Sequence, residues 1–181
     1  MEKAMVRKNP LRIAITGPES TGKSALCKQL ALYFNEPYVC EYSRIFLAGS
    51  GGKYSFEDIL DIAQGQYERE QTALMNADKF LFCDTDFLVS HIWAMVKYGK
   101  SHKWIETMIE KCPYDFTLLC NIDIPWEFDP LRENPLNREY LFKVFYNELS
   151  VRNFPFAVVE GIDVERLLNA IQLLSVNGFN R

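Results

Sequence analysis

The eight residues Gly17-Pro18-Glu19-Ser20-Thr21-Gly22-Lys23-Ser24 spell G-x-x-x-x-G-K-[ST], the pattern of a phosphate-binding loop. Their surroundings have the form the loop needs. Residues 11–16 (LRIAIT) are a short apolar, partly β-branched run suited to a buried strand. After Lys23, the run ALCKQLALYF brings Leu26, Leu30, Leu32 and Phe34 forward at helical spacing. A strand, a glycine loop and a helix in that order commit the chain to an α/β unit, and the parallel strand that follows needs a crossover.

The spelling has a chemical reason. Gly17 and Gly22 allow the backbone to curl so that successive N–H groups, from Glu19 through Thr21 and beyond, surround phosphate oxygens, while Pro18, which has no N–H, stiffens the turn. The helix that begins near Lys23 adds the positive end of its dipole. Lys23 can reach the β- and γ-phosphates, and the Ser24 hydroxyl can take one position on Mg²⁺. A chance glycine turn would not require the flanking strand and helix. Binding of ATP with Mg²⁺ is the expectation.

The 181 residues are 48% hydrophobic and 24% charged, enough for one sizeable core, and are expected to form a single domain over residues 11–181 behind a short arm over 1–10. A net charge of −4 argues against a broad nucleic-acid surface. No apolar run approaches the ~18 residues of a membrane span, and the charged start has no signal-peptide core. The five cysteines are odd in number and scattered, without a C-x-x-C pair, which points to reduced thiols and a cytoplasmic setting. Cys40, Cys83 and Cys120 lie in or beside strand-like runs and read as small core hydrophobes.

Strand-like and helix-like segments alternate to the end of the chain. Strands are expected at 11–16, 37–41, 80–84, 116–121 and 155–159, and helices at 23–34, 56–77, 87–98, 102–111, 138–150 and 163–175. Near-continuous apolar strands separated by helices predict a three-layer α/β sandwich: a five-stranded, mostly parallel sheet of the P-loop NTPase class, helices on both faces. Ser55 to Asp58 has the form of a capping box. Two loops stand apart, the glycine-rich 48–54 and the proline-bounded, polar 125–137.

Ligands of such sheets gather outside the carboxyl ends of the strands. Those ends carry Glu41-Tyr42-Ser43-Arg44, Asp84-Thr85-Asp86 and Asn121-Ile122-Asp123. Asp84, after FLFC, is where a P-loop enzyme places the carboxylate that helps hold magnesium. Asp86 can serve the ligand or simply cap the next helix. Glu41 is placed to act as general base toward an acceptor hydroxyl. Arg132 and Arg138 flank turn residues just before a helix and suit a lid that closes on the γ-phosphate, although two arginines in a solvated loop need no such role. Trp93 can pack in the core or present an aromatic face.

Taken together, GPESTGKS, EYSR, YSFEDILDIAQGQ, DTDFLVSHIW and DIPWEFDPLR resemble the nicotinamide riboside kinase domain of NadR-type proteins, from about Leu11 to the last helix. Pro130 stands where that family's D-G-x-R has glycine, and Ser43 where E-Y-A-R has alanine. The resemblance implies transfer of the ATP γ-phosphate to the 5′-hydroxyl of nicotinamide riboside, giving nicotinamide mononucleotide. Such an acceptor has a flat pyridinium, for which Glu41, Asp84 and Asp86 offer counter-charge and Tyr42 and Trp93 aromatic faces, with Arg44 expected among the substrate-binding residues. The two histidines, His91 and His102, form no H-x-G-H motif, so the adenylyltransferase step found in longer NadR-type proteins is expected to belong to another enzyme. A kinase for another nucleoside or small metabolite would share the loop, Asp84 and the arginines. A nucleotide switch is a further alternative, but an N-K-x-D motif and a strand ending in Asp-Glu are both missing from the sequence. Neither the oligomeric state nor the adenine contacts can be read from these patterns.

Overall fold

A computed structural model describes residues 9–49, 51–132 and 136–181. Most of the anticipated N-terminal arm, and residues 133–135 of the arginine-bearing segment, lie outside the described residues. Five strands, β1 (Leu11–Thr16), β2 (Tyr38–Val39), β3 (Phe80–Asp84), β4 (Phe116–Cys120) and β5 (Phe156–Val159), form one sheet in the order β2-β3-β1-β4-β5. Every pairing is parallel. The helices are α1 (Lys23–Phe34), α2 (Tyr42–Ala48), α3 (Phe56–Leu74), α4 (Phe87–Tyr98), α5 (Lys103–Lys111), α6 (Arg138–Val151) and α7 (Val164–Val176).

Alternation along the strands distributes the two cores. Ile13, Ile15, Phe80, Phe82, Phe116 and Leu118 face α1 and α7. On the opposite face, α3, α4, α5 and α6 pack through Ile59, Phe87, Ile92, Ile105 and Phe145, joined by Leu119 of β4. Because β1, β3 and β4 are apolar on both sides, they can only be central. Leu32, expected on the buried stripe of α1, is 81% exposed; Cys27 and Ala31 complete that stripe instead. Cys83 and Cys120 are fully buried, as expected of core positions, and burial pushes the Cys120 thiol up to about 11. Cys40 is only partly buried and lies just past β2.

The capping box at the start of α3 is present, with Asp58 N–H donating to Ser55 Oγ at 3.3 Å and Ser55 N–H donating to Asp58 Oδ2 at 2.6 Å. One helix escaped the sequence reading. The strand expected over 37–41 stops at Val39, and the chain turns at once into α2. Only seven residues long, α2 buries Ser43 and Leu47 alone, too short a stripe to register as a period.

A polar network crosses the base of α3. Glu70, 0% exposed, accepts from Arg12 Nη1 at 3.2 Å and from Tyr114 Oη at 2.9 Å, and Gln66 Nε2 donates to it at 3.3 Å. Burial nevertheless raises its carboxyl to about 7, against the pull of Arg12, Tyr114 and Gln66. A carboxyl whose folded value lies above its unfolded one penalises the fold as pH rises between the two. The melting temperature should therefore fall from pH 5 to 7.5, with Asp86, raised to about 6 by burial, acting in the same direction. Glu70→Gln keeps an acceptor for Tyr114 and should make that decline shallower by a few degrees, at about 2–4 °C per kcal/mol for a chain of this size. Equal slopes in the two proteins, read by thermal unfolding across that pH range, would remove Glu70 as the cause.

Candidate active site

The β1–β3 register pairs Ile15 with Asp84, so the end of β1 and the acidic end of β3 lie side by side. From Thr16 the chain enters the loop. Gly17 sits at φ 130°, and a Cβ there would meet the Cys120 carbonyl oxygen of β4 at 3.0 Å, so the loop can press onto the sheet only with glycine. Gly22, at φ 74°, is the N-cap of α1. Thr21 Oγ1 donates to the Pro18 carbonyl at 2.8 Å and braces the turn. Lys23 folds back across the loop, its Nζ donating to the Gly17 and Pro18 carbonyls at 2.9 and 2.7 Å. A triphosphate would offer that ammonium stronger, charge-assisted acceptors.

Asp84 and Asp86 both feel the charge of Lys23, and Glu41 stands within electrostatic reach of Asp84. Asp84 is buried, its pKa raised by desolvation and by the charge of Glu41, with the Ser24 hydroxyl, Lys23 and the Glu41 backbone N–H acting in the opposite sense. Its Oδ1 has no hydrogen-bond partner. Among the described residues no cluster of three or more His, Cys, Asp or Glu could hold a metal. A P-loop magnesium does not need one: a hydroxyl, a nearby carboxylate, phosphate oxygens and waters suffice, and Ser24 with the unpaired Asp84 Oδ1 fits that donor set. Asp86 is the N-cap of α4, accepting from Val89 N–H at 2.8 Å and from Thr16 Oγ1 at 3.2 Å. At 4% exposure and so engaged, it contributes charge from behind the site rather than contact.

Glu41 is the N-cap of α2 yet makes no side-chain cap bond. Its carboxylate accepts from Ser43 Oγ at 2.7 Å and lies 3.6 Å from Arg44 Nε. The serine that departs from E-Y-A-R thus holds the acid in place. Arg44 Nη1 also donates to Asp129 Oδ2 at 2.9 Å and so reaches the segment that carries Arg132. Tyr42 turns its ring toward α3, not toward the loop, under the guanidinium of Arg69 at 5.2 Å.

The arginine-bearing segment rests on Ser20, a non-glycine residue at φ 56°. Ser20 Oγ accepts from Glu127 N–H at 2.9 Å and from Arg132 Nη1 at 3.2 Å, while the Ser20 carbonyl accepts from Arg138 Nη2 at 2.9 Å. Both guanidiniums lie near the ring of Trp126, at 5.9 and 6.0 Å. Burial and the charge of Arg132 lower the Arg138 pKa, and Arg138 Nε is buried without a partner. Two adjacent cations over a phosphate loop suit an anion between them. Trp93 pairs with Tyr54: the rings are 4.5 Å apart and Trp93 Nε1 donates to Tyr54 Oη at 2.5 Å. Lys97 Nζ stands 3.6 Å over the Tyr54 ring, so this surface accepts a cation. Ser43, Tyr54, Glu127 and Asp129 lie inside the quoted motifs EYSR, YSFEDILDIAQGQ and DIPWEFDPLR, but no role at the site was expected of them.

Residues 12–166 match the family model described as an AAA domain, and the chain belongs to that family. It is 28% identical over 194 residues to the trifunctional NAD biosynthesis/regulator protein NadR of Escherichia coli (strain K12), an alignment covering 94% of this chain and 47% of the relative. The chain thus spans about half the length of that curated relative. A crystal structure of NadR protein in complex with NAD and AMP-PNP superposes with a TM-score of 0.75 at 19% identity, covering 97% of this chain and 51% of that one. Another, of NadR protein in complex with NR, gives 0.74 at 18% identity, covering 94% and 52%. The resemblance carried by the motifs is borne out, and so is the P-loop kinase fold.

Two substitutions test the geometry. Lys23→Ala should abolish ATP turnover while circular dichroism stays unchanged, because among the described residues Lys23 donates its hydrogen bonds to its own loop and lies outside the core. Arg132→Ala should lower kcat far more than it raises KM, as expected of a group acting in the transition state. Arginines in related chemistry are worth ~10³–10⁵ in rate, and a loss below about tenfold would show that Arg132 is not the residue closing on the γ-phosphate.

Proposed function

We propose that this chain is a cytoplasmic NAD-salvage kinase that transfers the γ-phosphoryl group of ATP to the 5′-hydroxyl of nicotinamide riboside, releasing nicotinamide mononucleotide and ADP. One observation carries the reading. Lys23, Ser24, Asp84 and Glu41 converge at the carboxyl edge beneath two paired guanidiniums, in a chain similar over nearly its whole length to NadR.

The loop amides and Lys23 bind the phosphate tail, and the Ser24 hydroxyl with Asp84 would hold Mg²⁺. When bound, that ion neutralises charge shared between β- and γ-phosphate oxygens. Glu41 takes the proton of the 5′-hydroxyl as its oxygen forms the bond to γ-phosphorus; the bond to the bridging oxygen breaks, and ADP leaves. Arg132 and Arg138 release Ser20 for the transferring group as its charge spreads. Positioning and electrostatics dominate such transfers, and the base adds a smaller factor.

The acceptor carries a permanent pyridinium charge. Glu41, Asp84 and Asp86 supply a negative field, and the Tyr54–Trp93 pair, whose tyrosine face already receives an ammonium, supplies flat surface. A charge contact at 4 Å is worth ~4 kcal/mol at an effective dielectric near 20, most of it cancelled by desolvation, leaving roughly a 10- to 100-fold preference over a neutral nucleoside such as uridine. That preference should weaken only modestly with added salt if the site closes. Measuring kcat/KM for both acceptors at low and high ionic strength decides it. Equal values, or a preference for uridine, would retain the kinase and remove nicotinamide riboside as its acceptor.

A further inference from the structure

The Gln64-Gly65-Gln66 stretch of α3 has no part in the chemistry described so far. Glycine is unfavourable in the interior of a helix, so Gly65 calls for a packing reason. The reason is Tyr42. A Cβ on residue 65 would lie 2.1 Å from Tyr42 Cε1 and 2.5 Å from Cδ1, so the ring rests directly on the backbone of α3. Only glycine permits that approach. The next residue holds the same tyrosine by its main chain: Gln66 Oε1 accepts from Tyr42 N–H at 2.9 Å.

That bond has a particular meaning at the start of a helix. The first N–H groups of α2 lack partners within the helix, and an N-cap side chain ordinarily accepts from one of them. Glu41 occupies the N-cap but provides no such bond. Gln66 meets the need from another helix, and Glu41 is spared for other contacts. Its carboxylate is tied to Ser43 Oγ at 2.7 Å, within the first turn of α2 itself. Whatever seats that first turn therefore also seats the carboxylate. Gln66 is in turn fixed from below, donating through Nε2 to buried Glu70 at 3.3 Å.

We propose that Gly65 and Gln66 are positioning residues for phosphoryl transfer: they seat Tyr42 against α3, cap α2 from outside, and thereby set the Glu41 carboxylate. The proposal rests on the reading of Glu41 as general base. Small displacements of a reacting group far from the mutated atom can cost on the order of 10²-fold in rate. Gln66→Leu should lower kcat by about 10- to 100-fold with the KM for ATP within about twofold, since the phosphate loop is untouched. Gly65→Ala should act in the same direction through a different atom, and so provides a separate arm should Gln66→Leu fold poorly.

A double-mutant cycle on kcat, with thermal unfolding of each protein as control, separates positioning from general damage. In a Glu41→Gln background, itself lowered about 10²-fold, Gln66→Leu and Gly65→Ala should cause no further loss. Equal losses in both backgrounds, or none in either, would overturn the proposal and leave Glu41 as base. A fully active Glu41→Gln would overturn the base assignment and the proposal with it.

Discussion

The pairing of β1 with β3 on one side and β4 on the other is the constraint from which the site follows. Parallel strands all point their carboxyl ends the same way, so three chain segments distant in sequence must end at one edge. The register then puts Asp84 beside Ile15, two residues before the loop begins at Gly17, and Leu119 beside Thr16. Thr16 completes the junction by donating to Asp86 at 3.2 Å. Burial on both faces makes this arrangement unambiguous, because a slip of one residue would turn Phe80 and Phe82 away from the cluster formed by α1 and α7.

Electrostatics sharpen what topology assembles. Asp84 and Asp86 are buried carboxyls with raised pKa values, desolvation being the first cause in each case. Groups pushed in that direction are poised to gain from a cation, and Lys23 is the cation the chain itself provides nearby. On the far side of the loop the charge is reversed, with Arg132 and Arg138 meeting at Ser20. A tetraanionic nucleotide with a divalent ion, and a pyridinium acceptor, matches both signs.

Much of this was legible in the sequence because the determinants are local. The phosphate loop is a contiguous spelling, the central strands are apolar runs, and Asp84 follows one of them directly. What stayed hidden depends on contacts between distant segments. The helix α2 is too short for its own periodicity, and its place is fixed by Gly65 and Gln66, more than twenty positions further on. Tyr42 looked like an open aromatic face because nothing in EYSR announces that its ring lies on α3. Trp93 likewise found Tyr54 across a glycine-rich loop that offered no register. Ser20 read as one more loop residue, although its side chain accepts from Glu127 and Arg132.

One guanidinium touches both ends of the proposed reaction: Arg44 lies against Glu41 at 3.6 Å and bonds Asp129 of the arginine-bearing segment at 2.9 Å. Its side chain is 43% exposed, and pairs in that setting contribute ~0–1 kcal/mol, less as salt rises. So weak a tie can register the two segments but cannot hold α2 in place. The contacts to α3 are of another kind, since Gln66 is 4% exposed and an unmade bond there leaves a largely desolvated amide without a partner. A buried polar group left so costs ~1–3 kcal/mol. The seat of Glu41 is therefore set from the core side, through α3 and the Glu70 network beneath it. In the proposed reaction Arg44, bonded to Asp129, would follow that residue as Arg132 and Arg138 leave Ser20 for phosphate.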